Sequence, residues 1–449
     1  MYNPNMSLTL AQALRVDESN RIAFVGSGGK TTAMFQLARQ ITPPIIITAT
    51  SHLGTWQTSL ADTHIIANSP KALAHLDESL SGIVLITGEA DDNRMKPVGD
   101  SVLDSIHRFC LDLAIPMLIE ADGSRQKPLK GWADHEPAIP DFADQVVQVT
   151  GLSGLRKPLT DEFVHRPEIF SKLSEIQLND PIEAEGIVKA LLHPDSARKN
   201  FPHGARHTVM LNQAGTPELQ ASARGMAQSL LEGFDSVIIS ELEKERIYAV
   251  HEHVAGVILA AGESSRYGEP KQLLDWHGEP FVRAVAKKAL EAGLSPVLLI
   301  VGAHKDDVVT VMNDLDIRMV ENPNWKEGQS TSIKAGIKAI HSEKPNVGAA
   351  VFLLVDQPQI TTSILQGLIE KHAEGRYPIV APMVIDRRAN PILFDRRTFP
   401  DLRTIEGDVG GRAIFHKYQV EYLPWHDDRL LLDVDTPEHY QRLLADESL

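Results

Sequence analysis

Apolar residues along the 449-residue chain gather in short, β-branched runs set between longer stretches of mixed polarity. In the first half the runs fall at Ile22–Val25, Ile45–Ala49, Ile83–Thr87, Pro116–Glu120, Gln145–Val149, Thr208–Asn212 and Ser236–Ile239. The second half repeats the alternation with Val257–Leu259, Pro296–Gly302, Ala349–Asp356, Pro378–Ile385 and Pro391–Phe394, and helical stretches at Glu279–Ala292 and Thr361–His372. Strands alternating with helices predict mostly parallel sheets covered on both faces, so the fold class is α/β. Between the halves, Glu241–Val254 (ELEKERIYAVHEHV) is charged, helix-favouring and without apolar periodicity, and reads as a connection. Two doubly wound domains follow, 1–245 and 246–449, a division the length supports. The His251-x-His253 pair inside the connection lacks further ligands for a metal site.

Composition narrows the classes. Hydrophobic residues make up 43% of the chain, yet no apolar run approaches the ~20 residues that cross a bilayer. The first residues lack the basic start and apolar centre of a signal peptide, so a cytoplasmic protein with no membrane partner is expected. Cys110 is the single cysteine, which excludes internal disulfides and thiolate clusters. A formal charge of −16 argues against a broad nucleic-acid surface.

Two turns carry candidate phosphate chemistry. In VAGVILAAGESSRYGEPK (Val254–Lys271) a buried strand runs into Ala260, Ala261 and Gly262, small residues that let successive N–H groups face an anion. Arg266 and Lys271 then supply charge to a triphosphate. In RIAFVGSGGKTT (Arg21–Thr32) the order is strand, glycine loop, helix: Gly26, Gly28 and Gly29 would cradle phosphates, Lys30 would reach the outer ones, and Thr31 would place its hydroxyl on Mg²⁺. Phe24 stands where the full P-loop pattern has its first glycine, so the loop is shorter, similar to that of Mur-type ligases. Acids at strand ends complete the inventory. Asp122, after Met117–Glu120, is either a Mg²⁺ ligand or a turn-forming Asp before Gly123. Asp356 ends a fully apolar strand and suits a divalent cation, with helix capping as the alternative. Asp433 and Asp435 alternate around Val434 on an extended segment, so both point to one side. Asp-Thr-Pro is also a common helix start.

The pattern Leu259, Ala260, Ala261, Gly262, Ser264, Arg266, Gly268, Lys271 resembles the signature of the MobA-like nucleotidyltransferases, and its double alanine and the downstream segments resemble the cytidylyl-transferring branch of molybdenum cofactor maturation more than the guanylyl-transferring one. In the first half, Glu120–Trp132, Gly151–Glu168 and Val209–Gly215 resemble the YqeC family, associated with molybdenum hydroxylase maturation, over about Arg21–Ile239. His165, Arg166 and Glu168 are site candidates there, or capping and surface charge. The resemblance implies a P-loop accessory domain fused to a Rossmann-like nucleotidyltransferase that moves CMP from CTP to the molybdopterin cofactor with Mg²⁺ held by Asp356 and Asp435. It favours Asp435 over Asp433, which caps or supports. It also implies an acceptor side built from Asn322, Trp325, Ser330 and Ser332, from Asn390, and from Gly410 and Arg412, with Trp325 either stacking or packing. Arg387–Asn390 lacks the glycines usual before Asn-Pro. A molybdenum hydroxylase apoenzyme is the implied partner. Competing readings are a sugar- or polyol-phosphate nucleotidyltransferase and a non-catalytic cofactor insertion chaperone.

Overall fold

A computed structural model describes residues 8–17, 20–77, 80–264 and 267–445. The chain divides into two compact units, Met1–His251 and Glu252–Leu449. No helix among the described residues is long and apolar enough to cross a membrane.

In the first unit nine strands form one sheet: β1 (Arg21–Gly26), β2 (Ile45–Ala49), β3 (Thr63–Ile66), β4 (Ile83–Thr87), β5 (Met117–Glu120), β6 (Gln145–Gly151), β7 (Arg206–Asn212), β8 (Ser236–Glu241) and β9 (Arg246–Glu252). Their spatial order is β9-β8-β7-β6-β1-β5-β2-β4-β3. Strand β1 lies between two parallel partners, with Phe24 level with Glu120 on one side and Val147 on the other. Both faces are covered, which is why β1, β2 and β4 are largely apolar without alternation. The carboxyl ends of β1 and β5 thus deliver the glycine loop and the acids Glu120 and Asp122 to one place. The segment Arg246–Glu252, expected as part of a helical connection, is instead β9 at the edge of this sheet. Ile247, Ala249 and Val250 pack against the core there, and their contacts override the helix preference of the charged residues before them.

The second unit has a sheet of β10 (Val254–Ala260), β11 (Val297–Val301), β12 (Arg318–Glu321), β13 (Ala349–Leu354), β14 (Ile379–Val384), β15 (Arg387–Arg388), β16 (Ile392–Asp395) and β17 (Val420–Pro424). The order is β12-β11-β10-β13-β16-β14-β15, with β17 on β14. Strands β12, β11, β10 and β13 are parallel, while β16 runs antiparallel to both β13 and β14. The sheet is therefore mixed rather than uniformly parallel. Leu259 is level with Leu354 and with Ile300, so the turn after β10 and the acid after β13 emerge side by side.

Candidate active site

In the second unit the chain leaves β10 through Ala260, Ala261 and the exposed Gly262. The return path is pinned by Gln272, which is buried and donates from Nε2 to the Ala260 carbonyl at 3.0 Å and the Gly262 carbonyl at 2.7 Å. Ser264, at φ +58°, accepts from the Lys271 backbone N–H at 3.1 Å, and Gly268 supplies a further positive φ of +88°. A Cβ built on Gly262 would meet nothing within 4 Å. Among the described residues, packing therefore makes no steric demand for glycine there. Arg266 lies outside the described residues.

This turn aims Lys271 across the carboxyl end of the sheet. Its Nζ donates to Asp356 Oδ2 and to Asp435 Oδ1, both at 2.9 Å. Burial works against the ammonium, but the two carboxylates outweigh it and hold Lys271 above the ordinary lysine value. Asp356 keeps a second oxygen, Oδ1, buried and without a hydrogen-bond partner. The next helix, Thr362–Gly375, is capped by Thr361 rather than by Asp356, so the carboxylate is not spent on capping. Asp433 sits behind this pair, accepting from Gln357 Nε2 at 2.7 Å. Burial, then the charges of Asp356 and Asp435, push its carboxyl up to about 6.

The other candidates occupy loops of the same unit. Asn322 is buried and clamps the loop that follows, donating to Thr331 Oγ1 at 2.8 Å and Ser332 Oγ at 3.0 Å. Trp325 packs against the second core and over Gly302, where an added Cβ would lie 2.9 Å from the ring. The Ser330 hydroxyl is buried without a partner, and its N–H donates to the Gly407 carbonyl at 3.3 Å. Gly410 lies beside Gln329, and Arg412 reaches Asn390 Oδ1 at 3.4 Å. The structure therefore brings Ser330, Gly410, Arg412 and Asn390 into one loop cluster, and turns Asn322 and Ser332 inward as its support.

The glycine loop of the first unit is held very tightly. A Cβ on Gly26 would lie 2.2 Å from the Val149 carbonyl oxygen and one on Gly28 2.4 Å from Gly151 Cα, so no other residue fits. Gly29, at φ +128°, leads into helix α1 (Lys30–Ala38). Asp122, fully buried, accepts from the Gly26 N–H at 2.9 Å, Lys130 Nζ at 2.9 Å and Trp132 Nε1 at 3.1 Å, and pairs with Lys30 at 3.1 Å. Its oxygens are committed to these donors. Lys30, also buried, hydrogen-bonds the Gly26 carbonyl at 2.7 Å. The carboxylate next to Thr31 is Glu120, whose Oε2 accepts from Thr31 Oγ1 at 3.2 Å. Burial raises the Glu120 carboxyl, with Lys30 opposing. Lys130 continues to Glu136 at 3.0 Å, and Glu136 to Arg166. Burial opposes the charge on Glu136, but Arg166 and Lys130 hold it at about 2. His165 is pushed down to about 4 by burial and by Arg166 and Lys130. Sequence reasoning missed Lys130 and Trp132 as partners of Asp122.

Beside this loop lies a cleft of about 1180 Å³ lined by residues including Gly28, Lys30, Thr31, Trp56, Glu120 and Arg166. No group of three or more His, Cys, Asp and Glu side chains suited to a metal occurs among the described residues.

Residues 256–422, which contain Lys271 and Asp356 and end before Asp435, match the MobA-like NTP transferase domain. A nicotine blue oxidoreductase of Paenarthrobacter nicotinovorans is 32% identical over 200 residues, covering 42% of this chain and 96% of that protein. The chain belongs to the MobA-like NTP transferase family. Residues 22–168 match the YqeC protein family, so this MobA-like protein carries a YqeC domain ahead of its transferase domain. The uncharacterized protein YqeC of Escherichia coli K12 is 29% identical over 200 residues, covering 43% of this chain and 75% of that protein. A probable molybdenum cofactor guanylyltransferase of Bacillus cereus ATCC 10987 is 29% identical over 141 residues, covering 31% of this chain and 66% of that protein.

Proposed function

We propose that the second unit is a cytidylyltransferase: the terminal phosphate of the molybdopterin cofactor attacks the α-phosphorus of CTP, the bond to the β-phosphate oxygen breaks, and pyrophosphate leaves. The observation that carries the reading is the Lys271 ammonium, held between Asp356 and Asp435 beside a glycine turn with open space at Gly262. The turn's backbone from Leu259 to Gly262 would orient the phosphates; Lys271, with Arg266, would offset charge building on the α-phosphate and the leaving group. A phosphate nucleophile is already ionised at neutral pH, so no protein base is required. Mg²⁺ suits the oxygen donors of Asp356 and Asp435, the unpartnered Asp356 Oδ1 above all, and when bound would supply charge neutralisation at the leaving pyrophosphate. The cluster of Ser330, Asn390, Gly410 and Arg412 is our candidate acceptor side. Asp433 supports Asp356 and Asp435 from behind, and the buried Asn322 and Ser332 support the acceptor cluster. The family and the guanylyltransferase relative support the molybdenum cofactor as acceptor; CTP rests on the double alanine. The first unit we read as a nucleotide-binding accessory domain, with its boundary before β10.

The test is pyrophosphate release by the full chain with each of the four NTPs and Mg²⁺, with and without molybdopterin cofactor. Release with CTP and cofactor alone is the expected result. Release with GTP alone would make this a guanylyltransferase, release with a sugar phosphate would move it to another acceptor, and none would leave a non-catalytic role.

A further inference from the structure

The first unit keeps an indole uncovered next to its glycine loop. Trp56 is 53% exposed, among the most exposed large apolar side chains described, and it lines the cleft that also holds Gly28, Lys30, Thr31 and Glu120. Its position is fixed rather than incidental. The turn Thr55–Leu60 that carries it is tied to α1 by the neighbouring Gln57, whose Nε2 donates to Thr31 Oγ1 at 3.3 Å. The ring lies over Gly54, where a Cβ would stand 2.4 Å from the indole nitrogen, and Gly54 is itself paired with Arg94 across a short antiparallel ladder. Gln57 is 94% buried by its 6% exposure, lines the same cleft, and leaves its Oε1 without a hydrogen-bond partner. A buried amide oxygen left so is costly unless something bound there completes it.

We propose that this cleft binds a nucleoside polyphosphate, with its phosphates at the glycine loop and the first turn of α1 and its base stacked on Trp56. The inference rests on reading the first unit as nucleotide-binding, and adds the base subsite to it. Helix geometry leaves the first-turn N–H groups of α1 without intrahelical acceptors, which suits phosphate oxygens. An indole face accepts any base, and the cleft, at about 1180 Å³, has room for a whole nucleotide. Arg94, Arg125 and Lys127 also line the cleft and add cations that bare hydrophobic packing would not need.

The experiment uses the full chain carrying Lys271→Ala, so that the second unit's proposed site is disabled. Calorimetric titrations with ATP, CTP, GTP and inorganic tripolyphosphate, each with Mg²⁺, are repeated after adding Trp56→Ala or Trp56→Phe. Loss of a stacking face should weaken each nucleotide about tenfold or more and leave tripolyphosphate within about twofold, while the phenylalanine variant keeps most of the nucleotide affinity. Equal nucleotide affinity in Trp56→Ala, or an equal loss for tripolyphosphate, overturns the base subsite. If tripolyphosphate and nucleotides all fail to bind before Trp56 is changed, the nucleotide-binding reading of the first unit falls with it.

Discussion

Both units set a lysine after a glycine turn against an aspartate at the end of a neighbouring strand, and the two groupings come out differently. Lys30 and Asp122 have side chains 4% and 0% exposed, and every oxygen of the aspartate is spoken for by Gly26, Lys30, Lys130 and Trp132. Lys271, Asp356 and Asp435 are 14%, 19% and 42% exposed, and Asp356 keeps an unpartnered oxygen. The same residue types at similar places in an α/β sheet therefore form an internal clamp in one unit and an open, charge-dense edge in the other. Burial and the number of competing donors separate the two outcomes, and neither is written in the local spacing. A fully buried charge pair is held because breaking it is costly; a partly exposed one contributes less to stability and is open to solvent.

The contrast breaks most visibly if Asp122 is neutralised. Asp122→Asn strands the Lys30 charge in the interior and should cost the first unit about 3–5 kcal/mol in urea unfolding, whereas Asp356→Asn should cost far less. Similar losses for the two variants would erase the distinction between clamp and site. Lys271→Ala should lower nucleotidyl transfer by about 10²–10³-fold, by analogy with removing one oxyanion donor, while circular dichroism shows the fold retained. Transfer within about threefold of the parent would remove Lys271 from the chemistry.

A smaller effect concerns Asp433. Its folded-state value, about 6, lies above the ordinary 3.8, so the folded state binds the proton more tightly. Stability is then gained as pH falls through this window and is lost as pH rises from about 4 to about 6. Asp433→Asn, which keeps an acceptor for Gln357, should therefore stabilise the second unit above pH 6 by on the order of 1 kcal/mol after solvent screening, and much less near pH 4. Denaturation midpoints at the two pH values give the comparison, and a pH-independent difference would contradict it. The smallest expected change is none: a fragment from His251 to Leu449, which has its own cores, should transfer within about threefold of the full chain. An inactive but folded fragment would mean that the first unit takes part in the reaction.

Much of this was legible in the sequence because the strands are buried on both faces and so read as unbroken apolar runs, as at Ile45–Ala49 and Val297–Val301. The turn from Leu259 to Lys271 was legible because small residues, glycines and two cations follow an apolar strand at short intervals. Strand β9 was not, since its apolar residues Ile247, Ala249 and Val250 acquire meaning only beside β8. The clamp on Asp122 was hidden for a similar reason: Lys130 and Trp132 look like ordinary loop residues until the chain folds them back onto it. Glu120 and Asp122 alternate along one segment and are both buried, and only the fold decides which meets Lys130 and Trp132 and which meets Thr31. Gln272 holds the second turn through two carbonyls, a task that leaves no mark on spacing.

The empty space above Gly262 has a consequence for how variation at the two glycine turns would be tolerated. In a mutational survey scored by protein abundance, replacements at Gly26 and Gly28 should be depleted, because backbone atoms already occupy the place of a side chain. Alanine at Gly262 should pass that survey unnoticed and be lost only when the same library is scored by transfer. A variant of this kind would accumulate in the cell as an intact, inert protein, still able to engage whatever partners the first unit has while contributing no product.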